Sequence, residues 1–464
     1  MDASEITITD EQTMKRAVAA AAIGNVTEWY DFGVYSYLAV VITRVFFSNL
    51  PPATATVYTF GVFAVSFIVR PIGGLIFGPL GDRIGRTKVL AVTVIMMAAG
   101  TTVLGLIPGY ASIGVAAPLL VLLVRVVQGL STGGEYGGAM TFIAEYSADK
   151  RRGFFGSWLE FGTLTGYALG ATIATVLITV LPQDQMDSWG WRIPFLLAFP
   201  LGVVGLYLRS RLEETPAFRV MIAKSATHEG TSTKDAFRLI FTKHWRAMLV
   251  AGGLVVAWNV TNYVLTAYIP TYLTSTLPAA GETGTSESAS NILQIVVLLI
   301  LMVIITFIGR LSDRVGRKPI LLTGCIALIV LGLPTILLLR VGGLGATFGG
   351  LMIMGLTLVA FSAVSPSTLP ALFPTEIRYS GLSIAFNIFV SAFCGTAATV
   401  IAALVLATGD LNWPGYYLIG AGVVGLVSVY FLQESARRPL DGSPPAVATE
   451  QEARDLVAAR GSSI

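Results

Sequence analysis

Charge is scarce in this chain. Asp, Glu, Lys and Arg make up 12% of its 464 residues, while 54% are hydrophobic; a globular domain usually carries about 25% charged residues. Apolar runs of 18 or more residues recur along the whole length, each able to cross about 30 Å of hydrocarbon. That excludes a soluble domain of useful size. It also removes any reading of the net charge of +3 as a nucleic-acid signal. Cysteine is almost missing: Cys325 and Cys394 lie in separate apolar runs, too far apart to suggest a metal site. The two histidines, His228 and His244, both fall in a polar stretch, which leaves no intramembrane His for a triad or a metal. Gly343-x-Gly345 has no soluble strand–turn–helix around it, so it is not a nucleotide fingerprint. An enzyme is not expected, nor a metal, nor a nucleic-acid partner. The start, Met1-Asp-Ala-Ser-Glu5, lacks the basic opening of a cleaved signal peptide. The first apolar run is therefore expected to be a retained helix.

What is present is a series of helices with a break in the middle. The expected spans are 17–46, 57–80, 89–108, 114–146, 153–181 and 191–211, then 245–275, 289–310, 320–340, 345–372, 378–408 and 413–433. This gives an N-terminus at 1–16, a six-helix bundle at 17–211, a polar linker at 212–244, a second bundle at 245–433 and a tail at 434–464. The tail is rich in Pro, Ala and charge and is expected to be loose or briefly helical. The fold class is an all-α polytopic membrane protein of twelve helices. With both termini inside, 25 of the 30 basic residues fall on the cytoplasmic side, three (Arg44, Arg192, Arg340) outside, and two (Arg70, Arg125) within helices. The positive-inside rule then fixes the orientation.

The halves repeat. Gly78-x-x-x-Asp82-Arg83-x-Gly85-Arg86 recurs as Gly309-x-x-x-Asp313-Arg314-x-Gly316-Arg317, an offset of 231 residues between Asp82 and Asp313. Glu145 and Glu376, each near a Tyr-Ser pair, share that offset. A weaker echo pairs Leu212-Glu-Glu214-Thr with Leu432-Gln-Glu434-Ser. Two matches at one offset, in equivalent positions, indicate parallel repeats with a solute site at their interface.

The duplicated loop resembles the signature of the major facilitator superfamily. A narrower resemblance runs from Ala22 to about Leu440, to the metabolite:proton symporters. It rests on Gly24-Asn25-Val-Thr-Glu28-Trp29-Tyr30-Asp31, Gly133-Gly-Glu135-Tyr-Gly-Gly138, Trp189-Gly-Trp-Arg-Ile-Pro194 and Glu213-Glu-Thr-Pro216. Within that group Asn259-Val-Thr-Asn262-Tyr263, Ser367-Thr-Leu-Pro370 and Phe373-Pro-Thr-Glu376-Ile-Arg378 look most like the transporters of proline and glycine betaine. The resemblance implies proton-coupled uptake of a small zwitterion by alternating access, in a bacterial inner membrane, with the proton as coupling ion and no other cofactor. The partners implied are a small-molecule substrate and the lipid bilayer, with a monomer sufficient. The alternatives are a carboxylate substrate (2-oxoglutarate, citrate or shikimate), a proton-driven exporter, or a membrane sensor. The C-terminal coiled coil that some osmoregulatory members carry is not expected in the tail at 434–464, which has Pro439, Pro444 and Pro445 and no sustained heptads.

Ionisable residues inside membrane helices are costly, by about 2.5–3.5 kcal/mol on insertion scales, and they mark the candidate site. Asn25, Glu28 and Tyr35 lie along one face of the first helix, and Asp31 lies about 60° from that line. Arg125 cannot shed its charge and needs an anion; Asp31 is the natural partner. Tyr30-Asp31 and Arg125-Val-Val-Gln128-Gly129 resemble the proton-coupling pair of sugar:proton symporters, with Glu135 and Glu28 as further proton carriers. Arg70 is open to substrate contact or structural pairing. Asn25, Tyr35, Trp258, Asn262 and Tyr263, with Arg125, Gln128 and Asn387, are candidate substrate contacts, and aromatic faces among them attract quaternary ammonium groups. Tyr268 and Tyr272 are expected in an interfacial belt. Glu160 is polar and intramembrane without a role. The expected gating set is Gly78, Asp82, Arg83, Arg86, Glu145, Asp313, Arg314, Arg317, Glu376 and Arg378, with Asp82 placed beside the start of the third helix and within reach of Arg83 and Arg86.

Overall fold

The computed structural model describes residues 6–211, 213–225 and 233–461. Twelve long helices dominate: α1 Glu11–Tyr37, α2 Pro52–Ile84, α3 Arg86–Leu106, α4 Ala116–Tyr146, α5 Arg152–Val180 and α6 Gln183–Ser210, then α7 Trp245–Ala279, α8 Glu287–Val315, α9 Arg317–Val341, α10 Leu344–Thr368, α11 Thr375–Thr408 and α12 Trp413–Phe431. Among the described residues, eleven of these are long and apolar enough to cross a membrane. The exception is α1, whose buried residues include Asn25, Glu28 and Asp31. It owes its place to packing inside the bundle, where those groups find partners, rather than to hydropathy.

Helices are the expected answer to the composition. In hydrocarbon every backbone N–H and C=O must be bonded within its own segment, and a helix does that. Their outer faces are apolar: Ile68, Leu123, Val303, Leu406 and Phe431 are all exposed on the protein itself. The duplicated loops are sharp turns. Gly85 and Gly316 have φ of 109° and 104°, a region that side chains with a Cβ rarely adopt, so α2 ends and α3 begins within one residue, as α8 and α9 do. The bundles meet along two long seams, α2 against α11 and α5 against α8.

The structure departs from the expected spans in several places. The first helix begins at Glu11, six residues early, because Asp10 caps it by accepting from the Gln12 and Thr13 N–H groups at 2.9 and 3.0 Å. The sixth reaches back to Gln183 and the seventh on to Ala279. The polar stretch holds two short helices, Pro216–Ser225 and Thr233–Thr242; His228 and Leu212 lie outside the described residues. The tail is ordered. Ala446–Val447 forms a short parallel pair with Thr7–Ile8, and a helix follows over Glu450–Gly461. Thr7–Ile8 and Ala446–Val447 therefore lie on the face that carries the two duplicated loops.

Candidate functional site

Four buried clusters hold most of the intramembrane charge. In the first, Arg125 of α4 forms an ion pair with Asp31 of α1, both fully buried. Gln128 closes the ring: its Oε1 accepts from Arg125 at 2.9 Å, and its Nε2 donates to Asp31 at 3.0 Å and Thr101 at 2.9 Å. The Tyr35 ring covers the guanidinium at 4.0 Å. Tyr35 itself stacks on Phe63 and donates to the Thr59 carbonyl at 3.1 Å. Arg125 and Gln128 sit one helical turn apart on α4, so both reach the same point on α1.

In the second cluster Glu28 of α1 faces Arg70 of α2 at 3.7 Å. In the third, Glu135 of α4 accepts from Arg209 at 3.0 Å. Arg209 counted among the loop-side charges by position, yet it is buried and also donates to the Leu90 carbonyl at 2.5 Å. Its place at the end of α6 gave no sign that it would turn inward. In the fourth, Glu160 of α5 accepts from Tyr136 and from Thr163 at 3.1 Å.

The other candidates divide. Asn25 is tied to α5, donating to the Leu159 carbonyl at 2.8 Å and to Thr163 at 2.5 Å. Trp258 donates its N–H to Ser362 at 2.8 Å within the second bundle, and its ring lies 6.0 Å from Tyr136 of the first. Tyr263 packs edge-on to Phe67 across the bundle interface at 5.5 Å. Asn387 of α11 donates to the Gly133 carbonyl of α4 at 2.6 Å, also across it. Asn262 is half-buried. Tyr268 and Tyr272 are not in a belt: both are buried, and the Tyr272 hydroxyl donates to the Leu411 carbonyl at 2.9 Å. The 276–290 connection folds back on the end of this helix, with the Thr285 N–H donating to the Leu273 carbonyl at 2.9 Å.

The duplicated motif corrects its own expected role. Asp82 does not serve α3. It caps α11 of the opposite bundle, accepting from the Tyr379 N–H at 3.3 Å and the Ser380 N–H at 2.8 Å. Asp313 does the same for α5, with the Gly153 and Phe154 N–H groups at 2.7 and 2.8 Å. Each carboxylate meets a helix N-terminus, where orphan N–H groups and the dipole favour an anion. The start of α3 is instead capped by Glu214, which accepts from Thr87 at 3.2 Å, and that of α9 by Glu434, which accepts from Arg317 and Lys318 at 3.1 and 3.0 Å. The weak Leu-x-Glu echo was the signal for these two caps. Gly78 lies against Ser380, whose Cα would be 2.9 Å from a Cβ there.

Around these caps lies a charged seam between the bundles. Glu145 pairs with Arg86 at 3.3 Å and with Arg378 at 2.7 Å, and accepts from Thr215 at 2.5 Å. Arg86 also pairs with Asp82 at 3.2 Å and donates to the Thr375 carbonyl at 2.9 Å. Arg317 donates to the Ser367 carbonyl and to Ser435, both at 2.8 Å. Arg83 and Arg314 point to the exposed face, so among the described residues Arg86 is the arginine that pairs with Asp82. Glu376 is exposed as well. It does not repeat the part of Glu145, because Arg378, two residues on, takes the inward position. The tail straps this seam: the Asp441 carbonyl accepts from Arg378 at 2.6 Å and Thr375 at 3.1 Å, and Asp149 accepts from the Ala446 N–H at 3.1 Å.

The sugar (and other) transporter family matches residues 17–443. The chain belongs to this family. Relatives of this chain are named as carriers, not enzymes: the proline/betaine transporter of Salmonella typhimurium (strain LT2) is 44% identical over 458 residues, covering 98% of this chain and 90% of that protein. The glycine betaine/proline/ectoine/pipecolic acid transporter OusA of Dickeya dadantii (strain 3937) is 44% identical over 457 residues, with the same shares covered. The ectoine/proline transporter ProP of Corynebacterium glutamicum is 39% identical over 462 residues, again with 98% and 90% covered. Among solved structures, the proton:xylose symporter XylE bound to 6-bromo-6-deoxy-D-glucose superposes with a TM-score of 0.73 at 18% identity, covering 93% of this chain and 98% of that one. That likeness shows the major facilitator fold, two pseudo-symmetric six-helix bundles.

Proposed function

We propose that the protein is a proton-coupled symporter that imports a small zwitterionic osmolyte, such as proline or glycine betaine, across a bacterial inner membrane, with both termini cytoplasmic. The observation that carries the coupling is the sealed Asp31–Arg125–Gln128 ring. A proton arriving on the Asp31 carboxyl removes the anion that holds Arg125. The guanidinium keeps its charge, so it must turn to another acceptor, and the contact between α1 and α4 changes. Loss of the proton on the other side restores the pair. Glu135 and Glu28 are the other carboxylates that can hold the proton, and each already has an arginine. The names of the relatives support a zwitterion, and the seam around Asp82, Glu145 and Arg378 supports a cytoplasmic gate that is shut in this conformation. A monomer contains every residue named.

The test is uptake into proteoliposomes. Labelled proline or betaine should accumulate when an inward proton gradient is imposed. Uptake that ignores the gradient would overturn symport, and accumulation of a dicarboxylate in place of zwitterions would overturn the substrate class.

A further inference from the structure

The Glu28–Arg70 pair is built differently from the others. Both side chains are buried, at 1% and 2% exposure. Their closest approach is 3.7 Å, well beyond the roughly 2.7–2.9 Å of a charge-assisted hydrogen bond. Neither carboxylate oxygen of Glu28 accepts a well-aligned hydrogen bond, although the Thr132 hydroxyl lies beside it, and neither Nε nor Nη2 of Arg70 donates a well-aligned one. Arg125 also leaves its Nε and Nη2 without partners, but its carboxylate is in direct contact and is held by Gln128, which bonds to both members of the pair. Unmade hydrogen bonds on buried groups are costly, and more so when the groups are charged.

The surroundings are aromatic. The Arg70 guanidinium lies 5.1 Å from the Phe32 ring and 4.6 Å from the Phe67 ring. Tyr263 reaches in from α7 to pack on Phe67, and its buried hydroxyl lies beside the Arg70 guanidinium without a well-aligned hydrogen bond. Ser391 of α11 donates to the Phe67 carbonyl at 2.6 Å. The loose pair thus sits where the two bundles meet, with groups from both.

We infer that Arg70 and Glu28 form the two ends of a subsite for a dipolar solute. The solute's carboxylate takes the free N–H groups of Arg70, whose planar fork suits two parallel bonds. Its ammonium faces Glu28 and the rings of Phe32, Phe67 and Tyr263. The pair carries no net charge, so a zwitterion satisfies both ends without adding charge to a low-dielectric site. A dicarboxylate would add two negative charges and leave Glu28 opposed to one of them. This inference rests on the proposed zwitterion transport and assigns its carboxylate anchor to Arg70 rather than Arg125.

The experiment is equilibrium binding of betaine, proline, choline (no carboxylate) and 3,3-dimethylbutyrate (no ammonium) to the purified full chain. Wild type and the E28Q/R70Q double variant are compared; the double change avoids leaving one buried charge alone. Wild type should prefer the two zwitterions over both single-charge analogues. The double variant should lose zwitterion affinity at least 30-fold and keep its weak binding of the analogues. R70K, with the charge but not the fork, should fall between. A folded double variant that binds betaine within threefold of wild type overturns the subsite, while gradient-driven betaine uptake by wild type would still uphold the transport reading. Wild type that neither binds nor accumulates any zwitterion overturns both.

Discussion

Asp82 of α2 accepts the Ser380 N–H of α11 at 2.8 Å, so a residue from the first half of the chain caps a helix of the second. Asp313 returns the contact, accepting the Gly153 N–H of α5 at 2.7 Å. The duplicated loop therefore joins the bundles at two symmetric points. Any motion that separates them on this face must break both caps.

Asp82→Asn keeps an oxygen acceptor but loses the charge opposite Arg86 and the helix end. It should lower the maximal uptake rate at unchanged KM, and Asp82→Ala should lower stability further, by roughly 0.5–2 kcal/mol for a lost cap. Initial uptake rates in proteoliposomes and thermal unfolding in detergent measure the two effects. A marked change in substrate preference would argue against a role confined to the seam.

Glu145 stands between two buried guanidinium groups. Glu145→Gln should destabilise the protein by about 3–5 kcal/mol, because the cations remain without their anion. Glu376→Gln, at the position the repeat makes equivalent, should stay within about 0.5 kcal/mol, as surface changes do. Thermal unfolding of the two variants side by side decides it; equal losses would contradict the asymmetry.

Asp31→Asn should abolish proton-driven accumulation while substrate exchange continues. Asp31→Asn alone strands Arg125, so Asp31→Asn/Arg125→Gln should be the more stable of the two variants. If accumulation survives in the single variant, the proton travels on Glu135 or Glu28.

Glu434 lies outside the membrane helices. Burial pushes its carboxyl up, but the N–H groups of Ala436, Arg317 and Lys318 together outweigh that and hold it below the usual 4.5. A depressed folded value means the cap contributes fully above pH 4.5 and is lost as the pH falls through the folded value. Wild type should lose unfolding temperature more steeply below pH 4.5 than Glu434→Gln; parallel curves would remove Glu434 as a pH-dependent cap.

The tail covers the seam through Asp441 and Ala446. A chain ending at Leu440 should leave Arg378 and Thr375 short of acceptors. A cysteine placed at Ala144, which lines the gap beneath Ser443 and Ala446, should then react with a water-soluble maleimide at least tenfold faster. Unchanged labelling would mean the strap is not what shields this face.

The sequence by itself determined the architecture. Long apolar runs can only be helices in hydrocarbon, and the 231-residue offset made them two related sixes. It also made Arg125 a residue that needs an anion, and the resemblance to sugar:proton symporters pointed to Asp31. What tertiary structure alone decided was which charge meets which. Arg209 looks like a loop charge in one dimension and turns inward to Glu135. Glu376 repeats Glu145 in sequence and is exposed in space. Asp82 was read against its nearest helix in sequence but caps one almost 300 residues away, because helix ends are satisfied by whatever acceptor the packing brings to them. Local spacing specifies a helix and its faces; pairing across bundles depends on their relative placement, which no local pattern encodes.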